Sequence, residues 1–200
     1  MIKPLFAIYG ANGCGRGVMP LAREQLRQMG LSLDRLVFVD DNLCGNVVNG
    51  HRVLGYSEFS AIQASEHRVA IAIADTGKRK KLAERCLNDG LKAWTVKAQN
   101  IVTMDDLNLG EGAILSPFVT LTSNIIIGKY FHANIYSYVE HDCVIGDYVT
   151  FAPAVKCNGN IVIEDHAYIG AGAIIKQGKP EKPLVIVQGA IVGMGAVVTK

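Results

Sequence analysis

A histidine flanked by two carboxylates is the group in this chain best suited to proton transfer. His141 lies between Glu140 and Asp142 in the segment 134–146. An imidazole titrates near neutral pH and takes a proton from an attacking amine or hydroxyl, which is worth roughly 10²–10⁴ in rate. A neighbouring carboxylate fixes its tautomer. Because consecutive side chains of a straight strand point in opposite directions, Asp142 can meet the ring only if the chain turns a corner there.

A glycine-rich turn near the start of the chain is suited to a phosphate-bearing ligand. It follows the apolar run Leu5–Tyr9 and precedes residues 18–28, whose apolar side chains recur at helical spacing. Glycines let a phosphate approach the amides of a helix N-terminus. The order of the glycines departs from the dinucleotide-binding pattern GxGxxG, so tight turning alone stays open as an explanation. The candidate substrate-binding residues of this turn are Gly10, Asn12, Gly13 and Gly15.

Three acidic residues end the next two apolar runs. Asp40 and Asp41 follow residues 36–39, and Asp75 comes just after residues 69–73. A carboxylate at the carboxyl end of a parallel strand can accept hydrogen bonds from a ribose or a base. Each of these residues can equally serve as a helix cap or turn residue. Both interpretations stay open for all three.

The elements around these residues predict an α/β N-terminal domain over residues 1–98. Apolar runs at residues 5–9, 36–39, 69–73 and 92–96 alternate with helical patterns at residues 18–28 and 78–88. Strands that alternate with helices favour a small Rossmann-like parallel sheet. In such sheets ligands bind beyond the carboxyl ends of the strands.

The second half of the chain, residues 99–200, carries a period of six. Every sixth residue from Leu109 to Ile175 is apolar or small, and a second inward position, four residues further on, is mostly small or β-branched. This period fits neither a helix nor a flat strand and is typical of a parallel β-helix. Three hexapeptides make an 18-residue coil, so four coils are expected from Leu109, with a fifth where Ile186 resumes the pattern. Cys143 and Cys157 occupy inward positions and are interpreted as core rather than as nucleophiles.

The period breaks between Ile175 and Ile186, which are eleven residues apart instead of twelve. The intervening residues are polar and include two prolines, which cannot donate to a strand ladder. A loop near residues 176–184 is therefore expected to leave one corner. It is either a solvated excursion or a flap that brings three lysines near an anionic ligand, namely Lys176, Lys179 and Lys182.

Composition limits the class of protein. The chain has 200 residues, a formal net charge of +2 and five cysteines. Scattered charge offers no basic stripe for nucleic acid and no polybasic segment for a membrane, and no apolar run is long enough to suggest membrane insertion or a leader. The odd cysteine count without CxxC spacing indicates reduced thiols, so we expect a cytoplasmic protein.

The combined motifs resemble those of the sialic acid O-acetyltransferase (NeuD) family, which includes PglD-like nucleotide-sugar N-acetyltransferases. The resemblance is carried by the glycine turn with Asp40-Asp41, by the segment 134–146 and by the segments 157–160 and 169–173, and it covers nearly the whole chain. It implies a left-handed parallel β-helix, a homotrimer with active sites between subunits, acetyl-CoA as co-substrate, no metal, and a UDP- or dTDP-linked amino sugar held by the N-terminal domain.

The same resemblance assigns roles to individual residues. His141 is the expected general base and Asp142 the residue that orients it, while Asn134 lines the substrate site. The glycine turn and Asp40 are expected to hold the nucleotide sugar, and the strand-end positions of Asp41 and Asp75 make them further candidates. Gly159, Gly170 and Ala171 are expected to border acetyl-CoA, and the loop adds Lys176 as a further candidate for this ligand.

Three alternatives remain at this point. O-acetylation of a sialic acid competes with N-acetylation of an amino sugar. A zinc enzyme like γ-carbonic anhydrase would use three histidines from facing subunits, but His132, His141 and His166 lie at different phases of the hexapeptide, which makes a shared metal site unfavourable. A non-catalytic prism that binds sugar nucleotides would leave His141 and Asp142 without a purpose.

Overall fold

The computed structural model describes residues 2–200. Contacts divide the chain into two compact units, the first ending at Val96 and the second spanning Lys97–Lys200. This division falls two residues before the boundary expected at residue 98. No helix in the described part of the chain is both long and apolar enough to cross a membrane.

The first unit is built on one six-stranded sheet with three α-helices. Its elements in chain order are β1 (Leu5–Tyr9), α1 (Gly13–Gln28), a 3-10 turn (Leu33–Arg35), β2 (Leu36–Val39), β3 (Val47–Val48), β4 (His51–Leu54), α2 (Tyr56–Ala61), β5 (His67–Ile71), α3 (Thr76–Asn88) and β6 (Lys92–Ala93). The strand order is β3-β4-β2-β1-β5-β6. Strand β1, central and wholly buried, pairs in parallel with β2 and β5. The carboxyl ends of these three strands therefore meet at one edge.

The sheet differs from the expected one in three respects. Strand β3 pairs antiparallel with β4, so the sheet is mixed at one edge, and neither this hairpin nor α2 was predicted. These elements are too short for a hydrophobic period to emerge. The third strand lies at His67–Ile71 rather than at residues 69–73. The apolar run 92–96 is split, because only Lys92–Ala93 joins this sheet.

The second unit is a parallel β-helix with three sheets. The first sheet contains β7 (Val96–Lys97), β10 (Ile114–Leu115), β13 (His132–Ala133), β16 (Thr150–Phe151), β19 (Tyr168–Ile169) and β22 (Ile191–Val192). The second contains β8 (Val102–Thr103), β11 (Thr120–Leu121), β14 (Tyr138–Val139), β17 (Lys156–Cys157), β20 (Ile174–Ile175) and β23 (Val197–Val198). The third contains β9 (Leu107–Leu109), β12 (Ile125–Ile127), β15 (Val144–Ile145), β18 (Ile161–Ile163) and β21 (Leu184–Ile186). The expected architecture, an α/β unit followed by a β-helix of hexapeptide repeats, is confirmed.

The helix begins two strands earlier than the six-residue period indicates, because β7 and β8 precede Leu109. Strand β8 pairs with β11 so that Thr103 stands opposite Leu121, at a position that is apolar in later coils. Thr103 is exposed, so this part of the first coil lacks the apolar signal that defines the period. From Leu115 onward the inward positions form one continuous buried cluster, which includes Cys143 and Cys157 as expected.

Each coil turns its corners on residues in the left-handed conformation. One corner repeats every eighteen residues at Asp106, Asn124, Asp142 and Asn160, all with φ between 53° and 59°. Asn and Asp adopt this conformation more readily than other residues that carry a Cβ. We call this column the acidic-amide corner. It supplies the turn that the sequence required between His141 and Asp142.

The expected loop leaves the helix two coils beyond His141, at the coil that follows Gly159. Its root is fixed by two backbone bonds, from Gly178 N to Gly159 O at 3.0 Å and from Leu184 N to Asn160 O at 3.2 Å. An antiparallel bridge between Lys179 and Lys182 closes its tip. Strand β21 then resumes pairing, with Ile186 opposite Ile163. The loop therefore spans residues 176–183.

Candidate active site

His141 and Asp142 form a hydrogen-bonded pair at the acidic-amide corner. The distance between His141 Nδ1 and Asp142 Oδ2 is 2.7 Å. A carboxylate only accepts, so Nδ1 carries the proton and the neutral ring keeps a lone pair on Nε2. Nearly half of each side chain is exposed, at 45% and 48%. The pair can therefore receive a proton from a molecule that approaches the corner.

The electrostatics of the pair favour a protonatable ring. The hydrogen bond to Asp142 raises the pKa of His141, the negative charges of Asp142 and Glu140 act in the same direction, and slight desolvation opposes them. The pKa of Asp142 is lowered, first by the bond from His141 and second by one from Asn124. Asp142 therefore stays ionised while the imidazole accepts a proton, which is the division of roles that a general base needs.

Gly159, in the next coil, leaves room for the imidazole of His141 because it has no side chain. A Cβ built at this position would lie 2.6 Å from both Cε1 and Nε2 of His141. Any residue larger than glycine would displace the ring. The resemblance placed Gly159 beside acetyl-CoA, and its contact with the imidazole is an additional feature that sequence spacing did not indicate.

The other predicted residues of the β-helix divide between two corners. His141, Asp142, Gly159 and Lys176 follow strands of the second sheet, whereas Asn134, Gly170 and Ala171 precede them. Asn134 lies directly after β13, whereas His141 comes shortly after β14, seven positions later in the chain. The two groups therefore lie at different corners of one coil. Asn134 Oδ1 accepts a hydrogen bond from Ile135 N at 2.8 Å.

The glycine turn is shaped by contacts within the first unit. Gly10 has a φ of 102°, and a Cβ on Gly15 would lie 1.7 Å from Gly10 O, so the turn and the start of α1 pack too closely for side chains. Asn12 precedes α1 without a side-chain capping bond. The start of this 16-residue helix is therefore not capped by the side chain of Asn12, and both Asn12 and Gly13 are exposed.

The three predicted acidic residues each accept a hydrogen bond from the backbone. Buried Asp40 accepts from Ala11 N at 3.0 Å and Asn42 N at 3.1 Å, which ties the end of β2 to the glycine turn. Asp41 accepts from Tyr56 N at 2.7 Å, at the start of α2. Asp75 caps α3 by accepting from Lys78 N at 2.8 Å. Structural roles thus exist for all three, and binding of a nucleotide sugar stays a prediction.

Sequence reasoning missed an arginine at the edge where β1 and β2 end. The Arg85 guanidinium lies 3.6 Å from the centre of the Tyr56 ring and 3.8 Å from Asp41. The Tyr56 hydroxyl donates a hydrogen bond to Asp89 at 2.6 Å, and desolvation raises the pKa of Tyr56. Desolvation likewise raises the pKa of Tyr9, which stacks on Tyr56, to about 12. Arg85 belongs to a charged helix face, so its sequence context resembles that of a solvated residue.

The three histidines of the metalloenzyme alternative lie at separate places. His132 is in β13, His141 is at the acidic-amide corner, and the ring of His166 stacks on Tyr148 at another corner. Within residues 2–200, no group of three His, Cys, Asp or Glu side chains is arranged to hold a metal ion.

Comparison with known proteins identifies the family. Residues 6–86 match the family described as the PglD N-terminal domain. GDP-perosamine N-acetyltransferase of Escherichia coli O157:H7 is 52% identical over 182 residues, which cover 91% of this chain and 82% of that protein. The chain belongs to the PglD-like acetyltransferases. The expectation of an acyltransferase is thereby confirmed, whereas nothing singles out the sialic acid O-acetyltransferases within the wider group.

Solved structures support the assignment. WeeI from Acinetobacter baumannii AYE is 56% identical, with a TM-score of 0.97 over 99% of this chain and 92% of that one. PerB from Caulobacter crescentus, solved in complex with CoA and GDP-perosamine, is 24% identical, with a TM-score of 0.70 over 98% of this chain and 89% of that one. At that identity the second likeness shows a shared fold only.

Proposed function

We propose that this PglD-like acetyltransferase moves the acetyl group of acetyl-CoA onto the amine of a nucleotide-linked amino-deoxy sugar, with His141 as general base. The observation that carries the proposal is the 2.7 Å contact of His141 Nδ1 with Asp142, which leaves Nε2 as a free acceptor on an exposed corner. The name of the 52% identical relative supports the same reaction class.

The reaction needs one proton acceptor and no covalent enzyme intermediate. The sugar amine attacks the thioester carbonyl, and Nε2 of His141 takes the proton lost from nitrogen. The C–S bond then breaks, and the imidazolium returns this proton to the CoA thiolate that leaves. Gly159 N–H donates to no acceptor within residues 2–200 and lies one coil from the imidazole, so it is our candidate for stabilising the oxyanion. Such a donor is worth about 2.7–4 kcal/mol in comparable sites.

Binding of the two substrates is divided between the units in this proposal. The glycine turn and the uncapped start of α1 offer amides to the diphosphate of the sugar nucleotide, with Asp40, Asp41 and Asp75 as candidates for the nucleoside. Gly170, Ala171 and the lysines of the loop are candidates for acetyl-CoA. The sequence resemblance implied uridine or thymidine, but the relative named for GDP-perosamine makes guanosine the first nucleotide to test.

A homotrimer is part of the proposal. Asn134 and His141 lie at opposite ends of one face of the helix, so a shared site requires the Asn134 corner of one chain beside the His141 corner of another. A location in the cytoplasm remains part of the same proposal.

The test is CoA release from acetyl-CoA with GDP-, UDP- and dTDP-linked 4-amino sugars, with the same sugars lacking the nucleotide, and with free sialic acid. We expect CoA release and an alkali-stable amide product with one nucleotide-linked amine. Acetylation of sialic acid alone, with an alkali-labile ester as product, would replace the proposal with O-acetylation. Thermal shifts with each nucleotide sugar report binding independently of turnover, because a ligand of the folded state raises its stability.

A further inference from the structure

A third side chain extends the pair of His141 and Asp142. Asn124 Nδ2 donates to Asp142 Oδ1 at 3.2 Å, while Asp142 Oδ2 faces His141 Nδ1 at 2.7 Å. The two oxygens of one carboxylate therefore serve two different donors. The hydrogen bond of Asn124 goes to Asp142 and not to the imidazole, so we expect its influence on the ring to pass through Asp142.

The fold places Asn124 there through the repeat. Asn124 and Asp142 occupy the acidic-amide corner in successive coils, with φ of 59° and 57°. Backbone bonds hold both positions, from Asn124 N to Asp105 O at 3.1 Å and from Asp142 N to Ser123 O at 3.2 Å. The amide therefore projects from a fixed backbone toward the carboxylate of the next coil. Asparagine suits the position because it tolerates this φ and supplies a donor.

A carboxylate that is half exposed needs such a contact to keep its orientation. The Asp142 side chain is 48% exposed, and its terminal torsion is broad when nothing restrains it. We infer that Asn124 is a positioning residue for the reaction, holding the Asp142 carboxylate in the plane in which its other oxygen accepts from His141. This inference rests on the proposed role of His141 as the base.

The first test measures His141 directly and needs no substrate. The charged and titratable groups that act on the ring are Asp142, Glu140 and the thiol of Cys143, and Gly159 faces it without charge. In Asn124→Gly we expect the NMR-measured pKa of His141 to fall by about 0.3–0.5 unit, less than in Asp142→Gly. Glycine is chosen because it keeps the left-handed corner without strain.

A double-mutant cycle separates positioning from general destabilisation. If Asn124 acts through Asp142, adding Asn124→Gly to Asp142→Gly moves neither the His141 pKa nor kcat further. Asn124→Gly alone should lower kcat about 3- to 10-fold with both KM values within about 2-fold, and Asn124→Asp, which replaces the donor by a like charge, should lower kcat at least as much. Asp106→Gly is the matched control, at the same corner but two coils away from Asp142.

Additive effects in the double variant, or an unchanged His141 pKa in Asn124→Gly, would overturn the inference. Its failure is distinct from failure of the proposed function. If His141→Ala is inactive while Asn124→Gly matches the wild-type protein in pKa and kcat, only the role of Asn124 is lost. If His141→Ala remains active, the proposed base is lost, whatever the titration shows.

Discussion

Replacement of Gly159 by alanine tests the geometry of the site with a single methyl group. The added Cβ would lie 2.6 Å from Cε1 and Nε2 of His141 and 3.0 Å from Nδ1. Carbon contacts are favourable near about 3.5 Å, so the ring must move by about 0.9 Å. A misplacement of about 1 Å can cost about 10²-fold in rate. The backbone φ of Gly159 lies outside the left-handed region, so alanine adds no backbone strain there.

We therefore expect Gly159→Ala to lower kcat for acetyl transfer by about 10²-fold, with much smaller changes in either KM. The assay is release of the CoA thiol at saturating concentrations of both substrates. Gly193→Ala is the matched control, because it lies in the same unit, has no heavy atom within 4 Å of a built Cβ and lacks a positive φ. A Gly159→Ala enzyme within about 3-fold of wild-type kcat would refute the claim that the imidazole must occupy this space.

Three further predictions address the carboxylates and the loop. Asp142→Asn should lower kcat/KM at least about 10-fold. The acidic limb of the pH profile of kcat/KM should move to lower pH, because Asp142 raises the pKa of His141 and a base works only when unprotonated. An unmoved limb would show that Asp142 does not act on the base. Asp75→Ala should lower the free energy of unfolding by about 1 kcal/mol, because α3 loses its cap. If KM for the nucleotide sugar is unchanged in this variant, Asp75 acts only as a helix cap. Replacing the three loop lysines Lys176, Lys179 and Lys182 by alanine should raise KM for acetyl-CoA about 3- to 10-fold. The control replaces three exposed lysines of α3, namely Lys78, Lys80 and Lys81. An equal rise in KM in the control variant would refute a local contact between the loop and acetyl-CoA.

The repeat made the architecture of the second unit predictable. One apolar residue in six specifies a chain that turns at that interval, and the interrupted register located the loop. The first two strands of the helix escaped notice because Thr103 occupies an otherwise apolar position. In the first unit, strands of four or five buried residues were recognisable, whereas two-residue β3 and six-residue α2 were too short to generate a period.

The candidate site was predictable only in part. A histidine beside an aspartate is visible in sequence, and the required corner follows from the repeat. The contacts from Gly159 and Asn124 join neighbouring coils, eighteen and seventeen residues away from His141 in the chain. Such neighbours emerge only when the register of the coils is known. Arg85 was missed for a related reason, since its partners Tyr56 and Asp41 belong to other elements.

The most direct test of the account is the rate of acetyl transfer by His141→Ala. We predict a fall in kcat of at least about 10²-fold, with the oligomeric state in sedimentation and the thermal unfolding midpoint close to those of the unmodified protein. A variant that folds, assembles and transfers acetyl groups at a near-normal rate would contradict the assignment of this imidazole as the base.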